Sequence, residues 1–173
     1  MQTSKKSLGF LPKLALRLGA TDALLIKASS VKTAAWVREK CQFGCSGFGE
    51  CLTCPPYSPY PHETQRVLDS YEKALLIHCA SNCEKDISDI AMKVEKAAFL
   101  AGFYKAWAMG AGPCRLCGTC SLKRGCRHPE EARPSMEACG IDVYSTARTN
   151  GFSINVVTSP KDKANYFSLV LIE

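Results

Sequence analysis

The sequence predicts an α+β fold, a mixed sheet of about five strands with helices on one face in a distantly ferredoxin-like order, plus two Cys-rich loops. Three observations predict it. Short apolar runs of strand length alternate irregularly with segments of helical period. The 173 residues, 46% hydrophobic and 22% charged, suit a single domain able to bury a sizeable core. Most of the 11 cysteines fall into two stretches, at about 41–61 and 112–142, that have no hydrophobic periodicity.

Taken in order, Leu11, Leu14, Ala15 and Leu18 share one helical face, with Gly19 as the stop. Residues 22–27, DALLIK, read as a buried strand, and a short helix over 34–40 delivers the chain to Cys41. The stretch CQFGCSGFGECLTCPPYSPYP is broken by Gly and Pro and is expected to be irregular throughout. A helix over 62–70 follows, then an apolar strand at 73–79, KALLIHC. Ile87, Ile90, Ala91, Val94, Ala97 and Ala98 mark a helix over 85–101, and FYKAWAM at 103–109 alternates as a strand. Beyond the second cysteine-rich stretch, short helices are expected at 130–138 and 143–149. Residues 152–158 and 166–172 close the chain as two strands, paired antiparallel around SPKDKAN.

The 22 basic and 16 acidic residues give a formal +6, which invites a nucleic-acid reading. That count holds every cysteine neutral; two four-thiolate metal sites at roughly −2 each bring the balance to about +2. No basic helix or aromatic–basic strand of the RNA-recognition kind is present, so nucleic acid is not an expected partner. Pro12, Lys13 and Arg17 interrupt the apolar part of the N-terminal segment, and nothing resembles a signal-peptidase site. No apolar run reaches the roughly 20 residues of a membrane span. A cytoplasmic protein with an odd number of cysteines favours metal ligation over disulfides.

The second quartet, Cys114, Cys117, Cys120 and Cys126, sits in CRLCGTCSLKRGC. Zinc usually takes its four ligands from two C-x2-C knuckles separated by a long segment. Three cysteines at successive intervals of three suit a larger object, because a cubane presents separate iron corners to a winding chain. Gly112, Gly118 and Gly125 permit the winding. The first quartet, Cys41, Cys45, Cys51 and Cys54, is less diagnostic, and its Cys54-Pro55 junction is similar to the ending of bacterial ferredoxin motifs. One 4Fe–4S cluster per quartet is expected. Zinc is the alternative at either site, and an exchange of ligands between the loops is a further arrangement.

Cys79 reads as a core residue and Cys83 as a loop thiol. Cys139 competes with Cys126 for the fourth ligand position, with Cys126 preferred because it directly follows the triplet. His128 is expected to face solvent, the other reading being a cluster neighbour; His62 starts a helix and His78 lies in a strand. Arg115, Arg124, Arg127 and Arg133 offset an anionic cluster or meet an anionic partner. Ser135 and Asp142 sit where a helix N-cap helps, and with Glu137 they are the polar candidates beside the second loop.

CQFGCSGFGECLTCPPYSP together with CRLCGTCSLKRGCRHPEEARPSMEACGIDV resembles the prokaryotic family of predicted metal-binding proteins, domain of unknown function 2284. The resemblance implies a small metal or iron–sulfur protein, of a kind frequent in anaerobes, with no established reaction. It carries over Cys41, Cys45, Cys51, Cys54, Cys114, Cys117, Cys120 and Cys126, and not Cys79, Cys83 or Cys139. Three functions remain in competition. One is an electron carrier or redox accessory protein with a redox partner protein, another a cluster enzyme with an open iron site, and the third a zinc-stabilised interaction module. No GxGxxG or P-loop pattern points to a nucleotide cofactor, and no Ser–His–Asp or paired-carboxylate set stands out.

Overall fold

The apolar run of residues 74–79 is buried at both parities, which requires cover on both faces of the strand that carries it. The computed structural model describes residues 7–81, 83 and 86–173. Its helices are α1 (Phe10–Arg17), α2 (Ala35–Gly44), α3 (Pro61–Leu68), α4 (Ile87–Leu100) and α5 (Val143–Thr149). Its strands are β1 (Asp22–Lys27), β2 (Lys73–Ala80), β3 (Trp107–Met109) and β4 (Asn165–Leu171).

The strands form one antiparallel sheet in the order β1-β2-β4-β3. Leu76 faces Leu24 across one side of β2 and Leu169 across the other. On one face Leu75, Ile77 and Val170 pack with Leu11 and Ala15 of α1 and Ile90 and Val94 of α4. On the opposite face Leu76, Phe167 and Leu169 pack with Leu68 of α3, Met136, Ile141 and Ala147 of α5. Asp142 caps α5 by accepting from the Ser145 amide at 2.9 Å, and Asp86 caps α4 through the Ser88 amide at 2.8 Å. Among the described residues no helix is long and apolar enough to cross a membrane.

Several expectations need correction. Among the described residues the sheet has four strands rather than about five, it is antiparallel throughout rather than mixed, and its helices cover both faces rather than one. The succession α–β–α–α–β–α–β–α–β and the strand order differ from a β-α-β-β-α-β ferredoxin-like unit. Residues 152–158 form no strand, because β2 and β3 already occupy both sides of β4; Ile154 instead gives its carbonyl to the Arg148 guanidinium at 2.9 Å. The expected helix at 130–138 is a series of turns in which Pro134 accepts from the Gly110 amide at 2.8 Å.

The strand at 103–109 shortens to Trp107–Met109, since the chain leaves α4 through Gly102 at φ 91° and Phe103 folds back onto Ala98. Helix α2 continues to Gly44, so Cys41 is helical and the first cysteine stretch is not irregular from its start. Lys85, the expected first residue of α4, lies outside the described residues.

Candidate metal centre

The first loop leaves the end of α2, with Cys41 in the last helical turn and Cys45 at its C-cap. Pro55, Pro56, Pro59 and Pro61 leave this stretch with carbonyls to satisfy and few amides to do it. Arg38, one turn before Cys41, fills that deficit. Its buried guanidinium donates to the carbonyls of Pro56, Ser58 and Pro59, each at 3.4 Å, and lies 3.8 Å over the Tyr60 ring. Buried Ser58 donates to the Ala138 carbonyl at 2.6 Å, fastening the loop to the 135–141 segment. Gly140, at φ 75°, lies so close under Pro61 that a Cβ would collide with its ring.

The second loop is closed at its neck. Gly110 bridges to Ser135, and the Met136 amide returns a bond to the Gly110 carbonyl at 3.0 Å. Just inside the neck, Arg133 forms a two-pronged pair with Glu95 of α4, at 2.6 and 2.8 Å, with the two side chains only 17% and 14% exposed. Glu95 also accepts from the Ala108 amide at 2.6 Å, tying loop, helix and edge strand together. Arg127 donates to the Thr119 carbonyl across the loop tip.

The two loops meet. Cys51 of the first loop joins Cys114, Cys117, Cys120 and Cys126 of the second around one cleft of about 320 Å³. The Leu52 amide donates to Cys120 Sγ at 3.4 Å, directly bonding one loop to the other. Two more amide-to-sulfur bonds, Gly47 to Cys45 and His128 to Cys126, have the same length of 3.4 Å. Cys41 and Cys45 line a different cleft, of about 480 Å³, together with Glu137. The first quartet is therefore divided in its lining, with Cys51 turned toward the second loop.

Charge follows this arrangement. Burial works against ionisation of Cys51, but bonds from Thr53, the Cys120 thiol and the Cys114 backbone outweigh it, so its pKa falls. Burial, then the charges of Cys51, Cys45 and Cys41, push Cys54 up to about 11, with a bond from Thr53 opposing. Cys114 is raised by burial and by Cys51, Cys126 and Cys117, against the Leu116 backbone. Cys41 is raised by burial, Cys45 and Glu137, with Arg38 opposing. Thiols that hold one another's protons in this way need a cation to be collectively ionised, and a metal that displaces those protons meets the need. In donor chemistry the residues fit a thiolate-bound metal. Among the described residues, however, no group of three or more His, Cys, Asp or Glu side chains is gathered to hold a metal ion.

A scan of family models matches residues 24–172 to the predicted metal-binding protein family, DUF2284. The chain belongs to that family. No curated protein and no solved structure matches it. The family description leaves the metal unspecified.

Within this family member the remaining candidates fall into place. Cys139 is fully buried in the core under the sheet, away from solvent. Cys79 is core as well, while Cys83 lies against it. His128 lines the five-cysteine cleft, His62 stacks on Tyr60 at 5.8 Å, and His78 stacks on Phe167 at 4.8 Å with Nε2 paired to Asn165 at 2.8 Å. Ser135 caps a turn through the Ala138 amide at 3.0 Å rather than a helix. Glu137 has one carboxylate oxygen shut from solvent and without a hydrogen-bond partner among the described residues. Burial raises its pKa, against bonds from its own backbone and Ser135.

Two residues escaped the sequence reading, Arg38 and Glu95. The signal for Arg38 was present: a proline-rich loop short of amides needs a multivalent donor nearby, and an arginine stands one turn upstream.

Proposed function

We propose that this chain is an iron–sulfur protein carrying 4Fe–4S clusters, one or two, and serving electron transfer or a redox accessory role. The observation that carries the reading is the single cleft shared by Cys51, Cys114, Cys117, Cys120 and Cys126, with amide-to-sulfur bonds at its wall. Five thiol donors exceed the four a zinc ion takes, and amide donors to sulfur are a lever on cluster potential. The ligand sets we assign are Cys114, Cys117, Cys120 and Cys126 for one centre and Cys41, Cys45, Cys51 and Cys54 for the other. Cys51, which lines the cleft of the second quartet, is our candidate for exchange between them.

When bound, such clusters supply one-electron redox chemistry. The chain's own residues position the donors, with Arg38 shaping the first loop and the Arg133–Glu95 pair anchoring the second. Phe43, Leu116 and Leu122 are exposed beside the cysteines and give a redox partner protein apolar surface to meet. We place the protein in the cytoplasm, where the thiols stay reduced, as one α+β domain.

Anaerobic purification followed by iron, zinc and acid-labile sulfide analysis tests this reading, with EPR after dithionite reduction. Iron and sulfide in cluster ratio with a reduced-state signal are expected. Stoichiometric zinc without sulfide would overturn it and leave the zinc-stabilised interaction module. The 480 Å³ cleft beside Cys41 and Cys45, with the orphaned Glu137 oxygen in its surroundings, favours as a second reading a cluster enzyme with an open iron site. That reading requires a non-cysteine position at the first centre, visible as a change in the EPR signal when cyanide or another small exogenous ligand is added.

A further inference from the structure

Cys79 and Cys83 belong to neither quartet, yet the fold brings them together. Cys79 stands near the end of β2 and is 2% exposed, its side chain on the α1–α4 face of the sheet. Immediately afterwards the Cys83 amide bonds to the Ala80 carbonyl at 2.9 Å, turning the chain back over the strand end. Cys83 Sγ then lies 2.7 Å from Cys79 Sγ and 3.0 Å from the Gly19 carbonyl. Two sulfurs so close are inside ordinary non-bonded contact and a short step from a bond of about 2.05 Å. A cleft of about 410 Å³, lined by Cys79, Cys83, Asp86, Ile87, Arg115 and Tyr166, opens over the pair.

We propose that Cys79 and Cys83 form a redox-active dithiol that exchanges with low-molecular-weight disulfides entering this cleft. Cys83, the more exposed of the two, loses its proton and attacks one sulfur of the small disulfide. The reagent's S–S bond breaks, one thiol leaves with a proton, and Cys83 carries the other half as a mixed disulfide. Cys79 then attacks the Cys83 sulfur, displaces the second small thiol, and gives up its own proton to it. In balance, two protein thiols and one small disulfide become one protein disulfide and two small thiols, with two electrons passing to the reagent.

The surroundings suit this order. Burial, followed by the bond to and charge of Cys83 itself, pushes the Cys79 thiol up to about 12, with the Thr21 backbone opposing and Asp86 adding to the rise. Once Cys83 is consumed in the mixed disulfide, its bond and charge no longer oppose ionisation of Cys79, and burial remains the main opposition. The 2.7 Å approach of the two sulfurs sets Cys79 against the Cys83 sulfur as the resolving thiol. Arg115 at the cleft favours a reagent that bears a carboxylate, and Asp86 keeps that preference from being absolute. The site involves no residue of either quartet, so it goes beyond the cluster reading and stands or falls without it.

The test uses the metal-loaded protein as isolated, equilibrated anaerobically with graded ratios of oxidised to reduced glutathione. After quenching with iodoacetamide and trypsin digestion, residues 74–85, ALLIHCASNCEK, hold these two cysteines and no others. The peptide is expected to lose two hydrogens and take up no alkyl label in one transition that dithiothreitol reverses. Cys79→Ser is expected to leave glutathione on Cys83, and Cys83→Ser to leave Cys79 unmodified. Alkylation of both cysteines at every ratio overturns the proposal, as does a mixed disulfide that persists on Cys83 in the unaltered protein. Iron and sulfide measured on the same sample separate this outcome from that of the cluster reading.

Discussion

Cys139 and Cys126 are the same residue type in opposite circumstances, and the contrast divides the molecule. Cys139 is sealed in the core formed by Phe167, Leu169 and Met136, where apolar burial holds every neighbour in place. Cys126 is exposed in a loop whose described bonds are turns, carbonyl staples and amide-to-sulfur contacts. The sheet is built by hydrophobic pattern, with apolar side chains packed on both of its faces. The loops carry most of the cysteines and are held by necks and staples at the base. A cysteine's surroundings thus say more about its role than its spacing does.

The largest test of that division is to remove a donor and a core residue in parallel. Cys120→Ser is expected to lower metal affinity by more than the roughly 10–100-fold that loss of a supporting group costs, with far-UV circular dichroism unchanged. Leu76→Ala, in the centre of the sheet, is expected to cost about 2–5 kcal/mol in a denaturant titration, losing metal only where the fold is lost. If Cys120→Ser melts the sheet, core and loops are one cooperative unit and the division fails.

Next in size is the joint between the regions. Arg133→Ala leaves Glu95 nearly buried and uncompensated, an expected loss of about 3–5 kcal/mol by denaturant titration. Lys93→Ala breaks only the exposed 2.7 Å pair with Asp89 and is expected to cost under about 0.5 kcal/mol. Equal effects for the two variants would mean the Arg133–Glu95 pair is not a structural joint.

Much of the core was legible because periodicity reports burial directly: the apolar strand at 73–79 and Ile87 through Ala98 along α4, although the cover on both faces of the sheet was not. What periodicity does not report is which edge of the sheet is free. Residues 152–158 have strand-like composition, but β4 has no vacant side, a fact set by long-range pairing. Residues 130–138 failed as a helix because Pro134 serves the loop neck, a role visible only once Gly110 is beside it. In the candidate site, the cysteine spacing marked the two loops, and ligand exchange between them was one arrangement it allowed, but it did not single out Cys51 as the residue lining the second loop's cleft. That depends on how α2 and the 135–141 segment set the loops side by side.

Cys139 itself offers a subtler test. Burial, and then the charge of Glu137, push its thiol up to about 12, whereas an unfolded cysteine ionises near ~8.5. The native state keeps the proton that the unfolded chain releases, so this thiol's contribution to stability falls as pH rises from about 8.5 toward 12. In metal-free protein, Cys139→Ala is expected to cost about 1 kcal/mol at pH 7 and to flatten the decline between pH 8 and 10. Metal content in the loaded protein is expected to be unchanged, as a core residue requires; metal loss would move Cys139 from the core to the ligand set in place of Cys126.

The smallest effect belongs to a turn that contains no cysteine. Asp162 accepts from the Thr158 amide at 2.8 Å, the Thr158 hydroxyl at 2.9 Å and the Ser159 amide at 2.9 Å, all through one carboxylate oxygen. The bonds from Thr158, and then from Ser159, hold its pKa below the usual carboxylate range against a slight desolvation. The folded turn thus prefers the charged form. Its contribution is present above the ordinary aspartate pKa of about 3.9 and is lost as pH falls through the lower folded value. Amide exchange at Thr158 and Ser159 is expected to quicken over that acid window and in Asp162→Ala at neutral pH, with no change in bound metal. A chelator is expected to do the reverse, loosening amides at 46–58 and 112–132 while leaving the 158–162 turn protected. If the chelator loosens all three segments alike, the cysteine loops are not distinguished by their metal.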